Sequence, residues 1–183
     1  MALTFPKPSK LISFSLLLLI NLALNPWEGS GEQQNLVFFL QDVSIGPNAT
    51  VAPVAGVKGK EWSYNTFGTI YAVDDLVTAG PNRNSAPVGR AQGLLATGAL
   101  DGSNVNIFLS IVFTNLQYNG STLQIQGVSR QSENYREVSV VSGTGRFRFA
   151  RGYAALETYY YDPNTTYSIV RLSITLLNSS DGH

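Results

Sequence analysis

Two residues far apart in the chain carry the chemistry most open to a protein of this composition. Asp42 closes the apolar run Asn35 to Val43 (NLVFFLQDV), and Arg136 stands between Tyr135 and Glu137 at the start of another strand-like run. A carboxyl group inside an apolar cavity titrates above its reference value of about 3.9, and a nearby guanidinium pulls it back. Such a pair can hold a proton and exchange it with an oxygen of a bound ligand, which is general acid–base work. Asp74 and Asp75 form the other acidic pair, placed where a strand beginning at Thr69 is expected to end. Adjacent strand residues face opposite sides and make no dyad without a bend. Asp75 is therefore expected to organise the turn from Leu76 to Pro81 through backbone N–H bonds, and Asp74 to line a cavity mouth.

Several other chemistries are closed by residue type. The one histidine is the terminal His183 and cysteine is absent, so a Ser-His-Asp triad, a thiol nucleophile and a zinc–thiolate site cannot be assembled. Gly143-Thr144-Gly145 lacks the Rossmann spacing and any following helical pattern, and reads as a structural turn. No metal or cofactor is expected.

The elements that must position these residues are strands. Apolar, Val/Ile/Phe-rich or alternating runs occur at Asn35 to Val43, Thr69 to Val73, Val88 to Thr97, Val105 to Thr114, Thr122 to Gln126, Arg136 to Val141, about Ala150 to Tyr161, and Tyr167 to Leu177. Residues 44 to 66 hold Gly46, Pro47, Pro53, Gly56 and Gly59 without a sustained period and read as a long excursion. Asn119-Gly120 is a two-residue hairpin signal, and Tyr159, Tyr160 and Tyr161 are expected to form an aromatic wall on alternating faces. Eight antiparallel strands with period-2 patterning close naturally into a barrel that can hold one small ligand. A β-sandwich is the other architecture this pattern allows.

Residues 1 to 30 are set apart as a signal peptide. Lys7 and Lys10 precede the apolar run Leu11 to Leu24, which is shorter than the roughly 20 residues of a spanning helix. Residues 31–183 then form one domain, with no membrane contact after processing. The chain has 12 basic and 12 acidic residues, scattered rather than clustered, which argues against nucleic acid as a partner. Charged residues are 13 % of the chain, against about 25 % in ordinary soluble domains, so Ser, Thr, Asn, Gln and Gly must cover much of the surface. Without disulfides, an exported domain has to be held by its core or by subunit contacts. Four N-x-S/T sequons, at Asn48, Asn119, Asn164 and Asn178, fit a secreted glycoprotein.

A set of local motifs narrows the reading. Phe67-Gly68-Thr69, Asp74-Asp75 with Leu76 and Thr78, Gly80-Pro81, Val88 to Gly93 (VGRAQG) and Gly143 to Tyr153 (GTGRFRFARGY) together resemble the plant dirigent proteins over about residues 35 to 178. The resemblance implies an all-β, eight-stranded antiparallel barrel of the allene-oxide-cyclase type, assembled as a homotrimer and secreted to the apoplast or cell wall. It implies stereochemical control of phenoxy-radical coupling or quinone-methide cyclisation in phenylpropanoid metabolism, with a separate oxidase or peroxidase supplying radicals. Asp42 matches the aspartate of the family's first-strand H-D motif, with Gln41 in place of the histidine, and Arg136 matches the family's strand arginine. Both are the catalytic candidates. Ser129 stands where lignan-forming members carry an aspartate, and Leu95 and Thr97 where they alternate tyrosines. With Asp74, these are the substrate-binding candidates, and their cavity is expected to be less polar than that of the lignan-forming relatives. A non-catalytic cell-wall or defence-related ligand-binding barrel is the alternative. An oxylipin cyclase shares the barrel type, but the motifs favour it less.

Overall fold

The computed structural model describes residues 33–177; the expected leader, the sequon at Asn178 and His183 lie outside them. Nine strands follow in order: β1 (Gln33–Val43), β2 (Val51–Ala55), β3 (Ile70–Thr78), β4 (Pro87–Thr97), β5 (Asn104–Phe113), β6 (Thr122–Arg130), β7 (Tyr135–Thr144), β8 (Arg151–Asp162) and β9 (Tyr167–Leu177). Period-2 alternation explains them. In β5, Val105, Ile107, Leu109, Ile111 and Phe113 are all buried, while the residues between them face outward, as the pleat requires.

All pairings are antiparallel, in the order β1-β9-β8-β7-β6-β5-β4-β3-β2, and β1 also pairs with β3. That last pairing closes the sheet, and nine strands make an eight-stranded barrel because β1 and β2 share one position. β1 pairs with the end of β3 as far as Gln41↔Leu76. β2 takes up the start of β3 from Val51↔Val73 to Ala55↔Ile70. The stretch read from sequence as an excursion thus contains a short strand. Its Pro53 has no N–H to give a ladder, which suits an edge position and hides the strand from pattern reading.

One end of the barrel is filled with rings. Phe113 meets Phe38 at 5.7 Å, Tyr118 at 5.2 Å and Phe147 at 5.1 Å between centroids. The Asn119-Gly120 pair does not make a two-residue hairpin. It ends a longer connection, 114–121, whose extra residues fold the buried Tyr118 into this cluster. Gly143-Thr144-Gly145 leads into a 3-10 turn, Gly145–Phe147, that delivers Phe147 to the same place.

The other end is partly covered by the connection between β2 and β3. The Tyr64 ring stacks on Tyr71 of β3 at 4.2 Å and 5°. Across the mouth, the Tyr64 carbonyl accepts hydrogen bonds from Thr97 Oγ1 (2.9 Å) and Gln131 Nε2 (2.8 Å). Gly102, with φ of 76°, lies so close that an added Cβ would stand 2.1 Å from the Asn65 carbonyl oxygen. A side chain there would push the covering segment off its seat.

Candidate functional site

β3 does not end at Asp74-Asp75 but runs on to Thr78, so the two carboxylates stand in mid-strand on opposite faces. Extending the β1–β3 ladder one step beyond Gln41↔Leu76 sets Asp42 opposite Asp75, both on inner-face positions. Side chains directly across a ladder lie about 5 Å apart at Cβ, so two acids share one poorly solvated place. Burial lifts Asp42 to about 6, offset in part by a hydrogen bond from Ser44 Oγ at 3.1 Å. Burial, then the charge of Asp42, lifts Asp75 to about 8. Thr50 Oγ1 donates to Asp75 Oδ1 at 2.5 Å and accepts from the Val43 N–H at 3.0 Å. Asp75 therefore does not organise the Leu76 to Pro81 turn. Its burial, 3 % exposed, follows from the strand continuing through it, which the adjacent turn residues masked in sequence. Two carboxyl groups this close titrate as a pair, and because burial raises both, Asp75 the further, the pair can hold one proton near neutral pH and serve as acid and base together.

Tyr64, which sequence reading did not single out, joins this pair. Burial and then the Asp42 charge push its phenol well above its ordinary value, with Ser44 offsetting in part. The phenol stays protonated and available as a donor beside the carboxylates. No periodic pattern surrounds Tyr64, so only the tertiary fold brings it in.

Arg136 occupies an inner-facing position of β7. Its Nε donates to the Leu156 carbonyl at 3.3 Å and its Nη2 to Thr158 Oγ1 at 3.1 Å, both on β8. Burial holds its pKa below the usual value, yet a guanidinium remains charged. Ser129 is buried on the inner face of β6, and Leu95 packs against the apolar core. Thr97 is buried as well, but its hydroxyl is engaged by Tyr64 rather than left for a ligand.

Asp74 lies on the outside of the barrel, not at its mouth. Arg90 Nε donates to its carboxylate at 2.5 Å and Gln92 Nε2 at 3.1 Å. The Arg90 bond holds the Asp74 carboxyl below the usual range. The tyrosine run also differs from expectation. A register shift between Thr158 and Tyr160 turns two successive rings outward: Tyr159 packs edge-on against Phe39 and Tyr160 against Tyr167. Among the described residues, no group of three or more His, Cys, Asp or Glu side chains is placed to hold a metal ion.

Comparison with known proteins agrees with this architecture. The family model described as Dirigent-like protein matches residues 33–177. Pterocarpan synthase 1 of Glycine max is 39 % identical over 137 residues, 73 % of this chain and 74 % of the relative. Dirigent protein 23 of Arabidopsis thaliana is 35 % identical over 150 residues, 82 % of this chain and 80 % of the relative. A solved pterocarpan synthase dirigent protein superposes with a TM-score of 0.72 at 36 % identity, covering 80 % of this chain and 95 % of its own. The match spans every strand of the barrel, the Asp42–Asp75 seam and the covering Tyr64 segment alike: the chain belongs to the dirigent family.

Proposed function

We propose that the protein directs the stereochemistry of quinone-methide ring closure on a phenylpropanoid-derived phenol. The observation that carries this reading is the seam at Asp42 and Asp75, where a base and a held proton stand side by side under Tyr64. Radical coupling needs positioning but little proton traffic, whereas closure needs both. As a phenol O–H adds across a quinone methide, a C–O bond forms at the methide carbon and the phenol proton leaves to Asp42. The quinone oxygen takes up a proton as its ring becomes aromatic, with Asp75 or Tyr64 as donor. Electrons and atoms balance without an oxidant. Arg136 stands on β7, across the barrel from the seam, where its charge would orient the far end of the ligand. The pterocarpan synthase relatives support the ring-closing form over coupling. In the coupling form, a separate oxidase or peroxidase would supply the radicals.

The test is ring closure of a quinone-methide precursor bearing a pendant phenol, followed by chiral chromatography. An excess of one enantiomer and a rate above the uncatalysed closure are expected. Racemic product at the uncatalysed rate sinks the proposal. Leu95 and the engaged Thr97 hydroxyl leave few polar partners for a ligand on β4. That favours, as the second reading, a binding barrel without chemistry, for which the same experiment would show ligand binding and no rate.

Export, glycosylation and a trimer belong to the same proposal. Asn48, Asn119 and Asn164 are exposed in connecting segments. Leu94 and Phe108 are cross-strand partners, half exposed on the outer face, and Val128 adds to the same side of the sheet. Apolar side chains so arranged suit a subunit contact. Light scattering should give about three times the chain mass, and a monomer at micromolar concentration would remove the trimer.

A further inference from the structure

The ladder between β6 and β7 stops at Gln126↔Ser139, although β6 runs on to Arg130 and β7 begins at Tyr135. Each strand stays bound on its far side, β6 to β5 through Arg130↔Asn104 and β7 to β8 through Tyr135↔Glu157. The two strands splay apart, and their facing edges present backbone N–H and C=O groups to a cleft of about 570 Å³. Its lining joins inner-face positions, Gly127 and Arg136, with outward Arg130, Tyr135 and Glu137 and with Glu133 of the connecting turn. The cleft therefore lies in the barrel wall, with Arg136 on its lining.

Its chemistry differs from that of the barrel interior. Two guanidinium groups and two carboxylates cancel in charge, so neither an anion nor a cation is favoured. Donors and acceptors crowd the same walls, and the half-exposed Tyr135 ring offers a flat apolar surface. Arg130 pairs with Glu133 at 3.3 Å and Arg136 gives N–H groups to β8; a hydroxyl is donor and acceptor at once, so a neutral group dense in hydroxyls can meet the strand edges and the polar positions these bonds leave open. The volume falls within the roughly 300–1,000 Å³ of small-molecule sites. We propose that the β6/β7 cleft binds a glycosyl unit carried by the phenolic ligand, whose aromatic part lies in the barrel. The placement of the aromatic part rests on the ring-closing reading; the glycosyl chemistry of the cleft does not.

Calorimetric titration of the full chain with an isoflavone, its 7-O-glucoside and methyl β-D-glucoside tests this. The glucoside should bind about 10-fold more tightly than the isoflavone. Tyr135→Ala and Glu133→Ala, both at exposed positions, should each erase that advantage while isoflavone affinity stays within about 2-fold. Equal or weaker binding of the glucoside, or an advantage that survives in both variants, overturns the proposal. Binding of the glucoside without binding of the isoflavone would uphold the cleft and count against the barrel reading. Methyl β-D-glucoside binding as tightly as the phenolic glucoside would also overturn the proposal, because the sugar would then be held without any contribution from the phenol.

Discussion

The two ends of this barrel are built from the same strands and do opposite things. At one end Phe38, Phe113, Tyr118 and Phe147 meet ring to ring, with no carboxyl or cationic side chain in the cluster. At the other, Asp42, Asp75, Tyr64 and Arg136 project from the wall and the covering segment, and burial shifts the pKa of each away from its ordinary value. The packed end can hold the barrel closed without disulfides. That leaves the polar end free to carry two buried acids, an arrangement that weakens folding rather than strengthening it. Stability and chemistry are separated along one axis, and each substitution below should move one and spare the other.

The largest effect is expected at Asp42. Asp42→Asn keeps the shape and removes the base, and general-base steps are commonly worth roughly 10²–10⁴-fold. Ring-closing rate should fall within that range while the melting temperature does not fall; a rate within a factor of two of wild type would remove Asp42 from the mechanism. Arg136→Met keeps most of the bulk and removes the charge, and should lower the rate by at least about 10-fold. Phe113→Ala is the opposite experiment: a large-to-small change in the ring cluster costs about 3–5 kcal/mol. Its denaturation midpoint should drop accordingly, while folded protein keeps the wild-type rate. A rate that collapses with it would show that the two ends are not independent.

The next effect depends on pH. Asp75 has a folded pKa raised to about 8, so it favours the folded state below the unfolded value of about 3.9 and loses that contribution as pH rises toward 8. Asp75→Asn removes this loss. The variant should gain on wild type by up to about 1.4 kcal/mol per pH unit across that window and hold a constant lead above it. A difference that does not change with pH would contradict the buried pairing. In the wild type, activity should rise through about pH 6 as Asp42 ionises and fall through about pH 8 as Asp75 loses its proton. The smallest effect is expected outside the barrel. Asp74→Asn breaks an exposed pair with Arg90 and should cost below about 1 kcal/mol, diminishing in salt. A loss of activity there would return Asp74 to the site.

The packed end was the more legible in sequence. Alternation through β5, β6 and β9 names the buried strand residues directly, since any period-2 run must bury one face, while Tyr118 and Phe147 reach the ring cluster from connecting segments that carry no such pattern. The count of eight runs matches the eight positions around the axis, but the same pattern allows a β-sandwich, and it is the β1–β3 pairing that closes the barrel. At the polar end, local signals mislead. Gly80 and Pro81 suggest that β3 stops early, whereas it continues through Asp75. Pro53 hides β2, and the sharing of one barrel position by β1 and β2 has no local mark at all. Asp42 and Arg136 could be singled out because each borders an apolar run, but the partnership of Asp42 with Asp75 and Tyr64 is a long-range property. Thr97 carried a ligand expectation from its position on β4. Its hydroxyl is engaged by a backbone carbonyl from a segment whose path only the folded chain defines.

The seam where β1 hands over to β2 also sets an order of events. A sequon is read through its hydroxyl residue as well as its asparagine, and for Asn48 that residue is Thr50. In the closed barrel the Thr50 hydroxyl is held between Asp75 and the Val43 N–H. A sugar-transferring enzyme must therefore reach Asn48 while the seam is still apart. Asn119 is constrained in a similar way, since its sequon hydroxyl, on Ser121, is buried and accepts from the Arg146 N–H at 3.0 Å, whereas Asn164 sits in an outward turn where the Thr166 hydroxyl makes no hydrogen bond. On the proposed route of export, a glycan at Asn48 would act as a clock for folding. Slowing closure with Phe113→Ala should raise its occupancy in the mass spectrum and leave Asn164 unchanged; occupancy that ignores the speed of folding would mean the seam opens freely after the barrel has formed.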